Sequence, residues 1–187
     1  MIIGLTGGYG AGKDTVAKYF VEKGFNYISL SDFLREECKS ENIEITRDNL
    51  IKKGNELRKL YGPWILGKMA KDIINPEKNY VIVSIRNPGE VKELKKFKNF
   101  FLVNVVAPKE LRYKRLVKRG REDDEGCSFE DFLEKEGKEL SNKNKEKQQL
   151  MEVYSMAHII LDNKYSTEKQ LFKVLDKLHI DLKSRLH

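Results

Sequence analysis

The 187-residue sequence predicts an α/β fold, three layers α/β/α about a five-stranded parallel sheet. Three observations carry that reading. Short apolar runs alternate with longer amphipathic stretches. The runs are rich in β-branched and aromatic residues and nearly continuous in apolarity, as strands buried on both faces of a parallel sheet are. Two of the connections are about fifty residues long, far beyond a simple crossover, and long insertions after strand C-terminal ends are where such folds build binding sites.

The strands are expected at Ile2–Thr6, Tyr27–Leu30, Tyr80–Ile85, Phe100–Val106 and His158–Leu161. The first helix follows a glycine-rich stretch and should turn Val16, Ala17, Phe20 and Val21 inward. The long connection 31–79 reads as two or three helices, one of them capped by Thr46 ahead of Arg47-Asp48-Asn49. Ser128 and Thr167 cap later helices in the same way. The second long connection, 108–157, carries a polar break at 120–128. There is no internal repeat and no flexible linker, so 1–187 is expected to be one domain.

Composition narrows the function. The chain is 40% hydrophobic and 35% charged, a soluble and globular balance with a highly charged exterior. No apolar stretch reaches the roughly 20 residues needed to cross a bilayer. Met1 runs directly into the first strand without a basic flank or cleavage site, which argues against a signal peptide. Cys38 and Cys127, both in polar sequence surroundings, form neither a metal set nor a disulfide framework, consistent with a cytoplasmic protein. The net charge of +7 raises the question of nucleic acid. The lysines, however, are interleaved with glutamates, as in Lys92-Glu93-Leu94-Lys95-Lys96, and read as solvated helix faces. A small anionic partner accounts for the surplus without nucleic acid or membrane; oligomeric state is not legible.

The stretch after the first strand reads Gly7-Gly8-Tyr9-Gly10-Ala11-Gly12-Lys13-Asp14-Thr15. Gly7, four residues, Gly12 and Lys13 make a phosphate-binding loop. Glycines let the amides of Gly8, Gly10, Ala11 and Gly12 turn toward an anion, and the helix beginning near Gly12 aims its positive end at the same point. Lys13 is the residue that reaches the β- and γ-phosphates of a nucleotide. The next position normally holds a Ser or Thr that binds Mg²⁺; here it is Asp14, followed by Thr15.

With this loop, a helical insert and a lid region in these positions, the chain resembles the nucleotide-kinase branch of P-loop proteins, which includes nucleoside monophosphate kinases and dephospho-coenzyme A kinase. The opening Ile3-Gly4-Leu5-Thr6-Gly7 through Phe20 is similar to dephospho-coenzyme A kinases, except for their Ser-Thr after the Lys. Gly12-Lys13-Asp14-Thr15 is instead similar to phage-type deoxynucleoside monophosphate kinases. The resemblance implies ATP and Mg²⁺ as cofactors, 31–79 as an acceptor-binding insert and 108–157 as a lid.

It also implies residue roles. Ser31-Asp32-Phe33-Leu34-Arg35 resembles the adenylate-kinase turn in which Asp helps hold Mg²⁺ or orients the acceptor and Arg binds the acceptor phosphate. Arg86, just past the third strand and before Pro88, matches the Arg-bearing turn of monophosphate kinases; a surface salt bridge to Glu90 is the plainer alternative. Ser84 stands where many relatives carry an acidic residue. Arg112, Arg115, Arg119 and Arg121 lie in the candidate lid, and the run from Arg115 to Arg119 resembles the lid entrance where Arg approaches the ATP phosphates or stacks on adenine; a basic helix facing the acidic run 122–125 is the plainer alternative. Asn163, after the last strand, falls in the loop that packs near adenine. Arg47, Asn55 and Arg58 lie on insert helices within reach of the acceptor, and Tyr61-Gly62-Pro63-Trp64 is a candidate wall for its base. His158 is given no role.

The catalytic set expected is therefore Lys13, Asp32, Arg86 and Arg119, with Asp14, Thr15 and Asp32 about the metal. The acceptor expected is a nucleoside or deoxynucleoside monophosphate held by Asp32, Arg35, Arg58 and Arg86. Dephospho-coenzyme A remains an alternative, as does a nucleotide-binding regulatory module that hydrolyses slowly.

Overall fold

The computed structural model describes residues 1–120, 128–140 and 144–186. Its strands are β1 (Ile2–Thr6), β2 (Asn26–Ser29), β3 (Tyr80–Val83), β4 (Phe100–Val106) and β5 (Ile159–Asp162). They pair in parallel in the order β2–β3–β1–β4–β5. Ile2 is flanked by Tyr80 on one side and Phe100 on the other, so the apolar N-terminal run forms the centre of the sheet. Among the described residues the helices are α1 (Lys13–Glu22), α2 (Leu30–Ser40), α3 (Arg47–Tyr61), α4 (Ile65–Ile73), α5 (Pro88–Leu94), α6 (Lys109–Arg119), α7 (Phe129–Leu140), α8 (Leu150–Ser155) and α9 (Glu168–Ser184).

Alternation along each strand divides the core into two layers. Ile3, Leu5, Val81, Val83, Val103 and Val105 face α1 and α9, packing on Val16, Phe20, Leu171 and Leu175. Ile2, Ile82, Phe100 and Leu102 face the other way onto Leu30, Leu34, Leu66, Val91 and Val153 from α2, α4, α5 and α8. The expected three-layer α/β/α sheet protein is what forms. Thr46, Ser128 and Thr167 each accept the expected cap hydrogen bond from the backbone N–H three residues on.

Several local expectations are corrected. Leu30 opens α2 rather than ending β2. β3 stops at Val83, because Ser84 takes a positive φ of 64° that breaks the ladder. His158 precedes β5; its Nδ1 accepts the Leu102 N–H at 2.8 Å and so extends the pairing by side chain. Val21 is 45% exposed, and Tyr19 is the buried neighbour of Phe20 instead. Cys38, expected in polar surroundings, is fully buried on α2, whereas Cys127 lies outside the described residues.

Candidate functional site

The C-terminal ends of β1, β2 and β3 open on one cleft of about 780 Å³. Its floor is the loop between β1 and α1. Gly7 and Gly10 have φ of 140° and 74°, and a Cβ at either would strike a backbone carbonyl, of Val105 and of Arg112 respectively. Only glycine fits where the loop lies this close to other backbone. Lys13 curls back so that Nζ donates to the carbonyls of Gly7 and Gly8 at 2.8 and 2.9 Å. Those bonds hold the ammonium over the loop, where an incoming phosphate would meet it.

Side chains from distant parts of the chain border this cleft. Lys13, Asp14 and Thr15 come from α1, Arg35 from α2, Arg86 from the turn after β3, Arg115 and Arg119 from α6, and Asn163 from the loop after β5. Gly10 and Gly12 also line it, whereas Gly8 and Ala11 lie behind. The sequence thus anticipated residues that the fold gathers, although Lys13 and Asn163 lie 150 positions apart.

Each is held differently. Arg35 Nη1 donates to Ser31 Oγ at 2.8 Å and to Asp32 Oδ1 at 2.6 Å. Asp32 is therefore turned to Arg35 and solvent and does not border the cleft, which removes the geometric basis for a metal or acceptor contact there. Arg115 Nη2 donates to the carbonyls of Asn163 and Tyr165 at 3.0 and 2.8 Å, and burial pulls its guanidinium down from its ordinary pKa. Asn163 is buried and its amide donates to the Ala11 carbonyl at 2.8 Å, tying the loop after β5 to the phosphate loop. Arg119 Nη2 donates to Tyr9 Oη at 2.9 Å.

The Arg86 turn is built by Glu90 rather than balanced by it. Glu90 Oε2 accepts the backbone N–H groups of Arg86 and Asn87 at 2.8 and 3.0 Å, the capping box of α5. Arg86 Nη1 reaches Gln148 Oε1 at 3.2 Å instead. The second carboxylate oxygen of Glu90 takes Arg58, at 3.2 Å from Nε and 2.8 Å from Nη2. Arg58, expected against the acceptor, is thus a buried wall residue whose guanidinium is committed to Glu90.

Other expectations move. Tyr61, Gly62, Pro63 and Trp64 do not border this cleft; Pro63 and Trp64 edge a separate hollow beside α5 and α8. Asn55 is not on the cleft either. Arg112 is buried beneath the phosphate loop, pairing with Glu136 of α7 and donating to the carbonyls of Tyr9 and Ala107. Arg121 lies outside the described residues.

Sequence reading missed three features. Tyr9 lies under two guanidiniums, Gln148 holds Arg86, and the hydroxyls of Ser29, Ser31 and Ser84 meet within 2.9–3.4 Å. The positive φ of Ser84 was the signature of that last cluster, and nothing in a sequence shows it. Among the described residues no group of three or more His, Cys, Asp or Glu gathers to hold a metal. Asp14 and Thr15 nevertheless put hard oxygen donors on the cleft beside Lys13. That set suits Mg²⁺, which keeps several waters and needs only one or two protein ligands beside substrate phosphates.

The comparisons with known proteins agree with this fold. A family model described as an AAA domain matches residues 3–150. A UPF0200 protein of Sulfurisphaera tokodaii is 37% identical over 139 residues, covering 74% of this chain and 77% of its own. A UPF0200 protein of Pyrococcus horikoshii is 33% identical over 188 residues, covering 95% and 97%. Shikimate kinase from Aquifex aeolicus shares the fold at a TM-score of 0.55 and 17% identity, covering 100% of this chain and 98% of that one. No helix among the described residues is long and apolar enough to cross a membrane. The chain belongs to the AAA-domain family matched by that model and to the UPF0200 proteins, and it shares its fold with shikimate kinase.

Proposed function

We propose that this protein transfers a phosphoryl group from Mg·ATP to a small phosphate-bearing acceptor, a nucleoside or deoxynucleoside monophosphate. The observation that carries the reading is the convergence of Lys13, Arg35, Arg86 and Arg119, from four separate elements, on one cleft floored by the phosphate loop. A donor needs only the loop and a lysine. Two further guanidiniums across the cleft, on α2 and after β3, are what a second phosphate requires.

Phosphoryl transfer is chiefly positioning and charge stabilisation. Lys13 and the loop amides hold the donor phosphates. Arg35 and Arg86 hold the acceptor's phosphate in line with them. Arg115, fixed by three backbone carbonyls, orders the loop that faces the donor's base. Arg119, at the end of the lid helix α6, neutralises charge that develops during transfer. The apolar wall of Leu34, Leu50, Ile51 and Leu66 lines the acceptor side and excludes water that would hydrolyse ATP. Asp14 and Thr15 would hold the Mg²⁺, which when bound screens the charge of the β- and γ-phosphates.

One observation favours a second reading. The Ser29–Ser31–Ser84 hydroxyls supply no negative charge where a carboxylate would assist the metal. A nucleotide-binding regulatory module with slow hydrolysis fits that substitution. The test is ADP release from Mg·ATP against ribo- and deoxyribonucleoside monophosphates, dephospho-coenzyme A and shikimate. Strong stimulation by one monophosphate is expected. Stimulation by dephospho-coenzyme A or shikimate alone replaces the acceptor, and stimulation by none, with ATP bound, favours the regulatory module.

A further inference from the structure

Tyr9 joins three parts of the molecule at the phosphate loop. Its carbonyl accepts from Arg112 Nη1 at 3.1 Å, which fixes the backbone. Its ring carries the Arg47 guanidinium 4.3 Å from the centroid and the Arg119 guanidinium at 5.1 Å. Arg47 is the first residue of α3, in the β2–β3 connection, and Arg119 the last of α6, in the β4–β5 connection. One aromatic ring thus gathers a cation from each long connection, through the attraction of a ring face for a guanidinium.

The position of this pair indicates what it binds. The two cations stand within about 10 Å of each other, comparable with the Debye length in 0.1 M salt. Both border the same cleft as Lys13. A multiply charged anion in the cleft would be within the field of both. The loop amides and Lys13 form the base of the site; guanidiniums arriving from the ends of two other helices add charge at its edge, suited to a terminal phosphate that Lys13 alone does not enclose. Arginine's planar fork also suits a terminal phosphate, whose three oxygens are open to bidentate donation.

We propose that Arg47 and Tyr9 complete the triphosphate site: Arg47 binds the terminal phosphate beside Arg119, and Tyr9 is the positioning residue that holds both guanidiniums to the loop. This rests on the nucleotide-binding part of the function proposed above and not on any acceptor.

The test is the affinity for Mg·ATP and for Mg·ADP, by isothermal titration, of the parent protein, Arg47→Ala, Tyr9→Leu, the double variant and Tyr9→Phe. Arg47→Ala should weaken ATP by about tenfold or more, the loss of a charge-assisted hydrogen bond, and ADP by far less. Tyr9→Leu should reproduce that selective loss. The double variant should lose less than the sum of the two single losses, because part of the ring's effect passes through Arg47 and the rest through Arg119. Tyr9→Phe, which keeps the ring but removes the hydroxyl that accepts from Arg119, should fall between the parent and Tyr9→Leu. Equal losses for ATP and ADP, additive losses in the double variant, or a Tyr9→Phe as weak as Tyr9→Leu would each overturn the assignment. Should Tyr9→Leu fail to fold, Arg47→Ala carries the ATP-against-ADP comparison alone. A selective ATP loss without stimulation by any acceptor leaves this inference standing and defeats the kinase reading. A folded parent that binds neither nucleotide defeats both.

Discussion

Arg58 and Glu90 form an ion pair closed to water, 3% and 0% exposed, that joins α3 to the start of α5. The same carboxylate accepts the N–H groups of Arg86 and Asn87. The conformation of the Arg86 turn therefore depends on a residue of the β2–β3 connection that is 28 positions away from it and reaches it only through Glu90.

Breaking that pair should affect stability first. Arg58→Ala leaves the Glu90 carboxylate buried without its cation, at a cost of about 3–5 kcal/mol. Urea denaturation followed by circular dichroism measures it. A loss below about 1 kcal/mol would show that water or another cation reaches Glu90 in the folded protein.

Lys13→Ala should leave unfolding unchanged and remove transfer. The bonds of its ammonium to the Gly7 and Gly8 carbonyls lie within the loop, whereas the donor phosphates lose their principal cation. ADP release with the best acceptor should drop by at least about 10²–10³-fold, the scale of losing one preorganised electrostatic group. Near-normal turnover would sink the assignment of the loop.

For Arg86→Ala the effect should appear in acceptor use. Its guanidinium is held by Gln148 at the cleft edge, and removing it should raise the acceptor KM by about 10–100-fold, the worth of hydrogen bonds to a charged group. The KM for ATP should barely move. An acceptor KM that stays put places Arg86 outside the site.

Asp14→Ala tests the metal environment. Asp14 stands where a hydroxyl is usual, and the metal requirement of transfer should rise, with half-maximal Mg²⁺ increasing by about 10-fold or more. Titration of activity against Mg²⁺ at fixed ATP measures this. An unchanged requirement would leave Thr15 as the sole protein donor.

Acid should destabilise the fold through two histidines. Burial, with Lys95 nearby, holds His158 below its ordinary pKa, and protonation would break the bond that its Nδ1 accepts from Leu102. Burial also depresses His179, which packs among Tyr19, Phe20 and Phe25; Lys183 and Lys23 add to the shift and Asp176 opposes it. Because both folded pKa values lie below the unfolded one, the unfolded state binds more protons in acid. The stabilisation is complete above about pH 6.5 and is lost as the pH falls below it. Thermal unfolding at pH 7.5 and 5.5 should show a lower midpoint in acid, and His179→Phe should reduce the difference. Identical midpoints would contradict the burial.

The sheet was legible because each strand of a parallel sheet is buried on both faces and writes that burial as a local apolar run. The phosphate loop was legible because Gly7, Gly12 and Lys13 do their work within seven residues. Arg58 was misread because its partner, Glu90, is 32 positions away, and a basic residue on a helix looks the same whether it faces solvent, ligand or a buried carboxylate. Trp64 was placed on the cleft by proximity in sequence to α3, yet its ring turns onto Gly62 and the outside of α5. Tyr9 and Gln148 carry no signal, because what distinguishes them is an arginine from elsewhere in the chain.

Asn87 donates both amide hydrogens to the carbonyls of Lys145 and Lys147, at 2.8 and 3.0 Å, and Gln149 N–H returns to the Arg86 carbonyl. The residues just before α8 are thus moored to the turn after β3. Changes in the length of α7 would leave this mooring, and with it Arg86, in register. The bank of the cleft that carries Arg86 thus has an anchor of its own, apart from the Arg112–Glu136 pair that ties α7 beneath the phosphate loop.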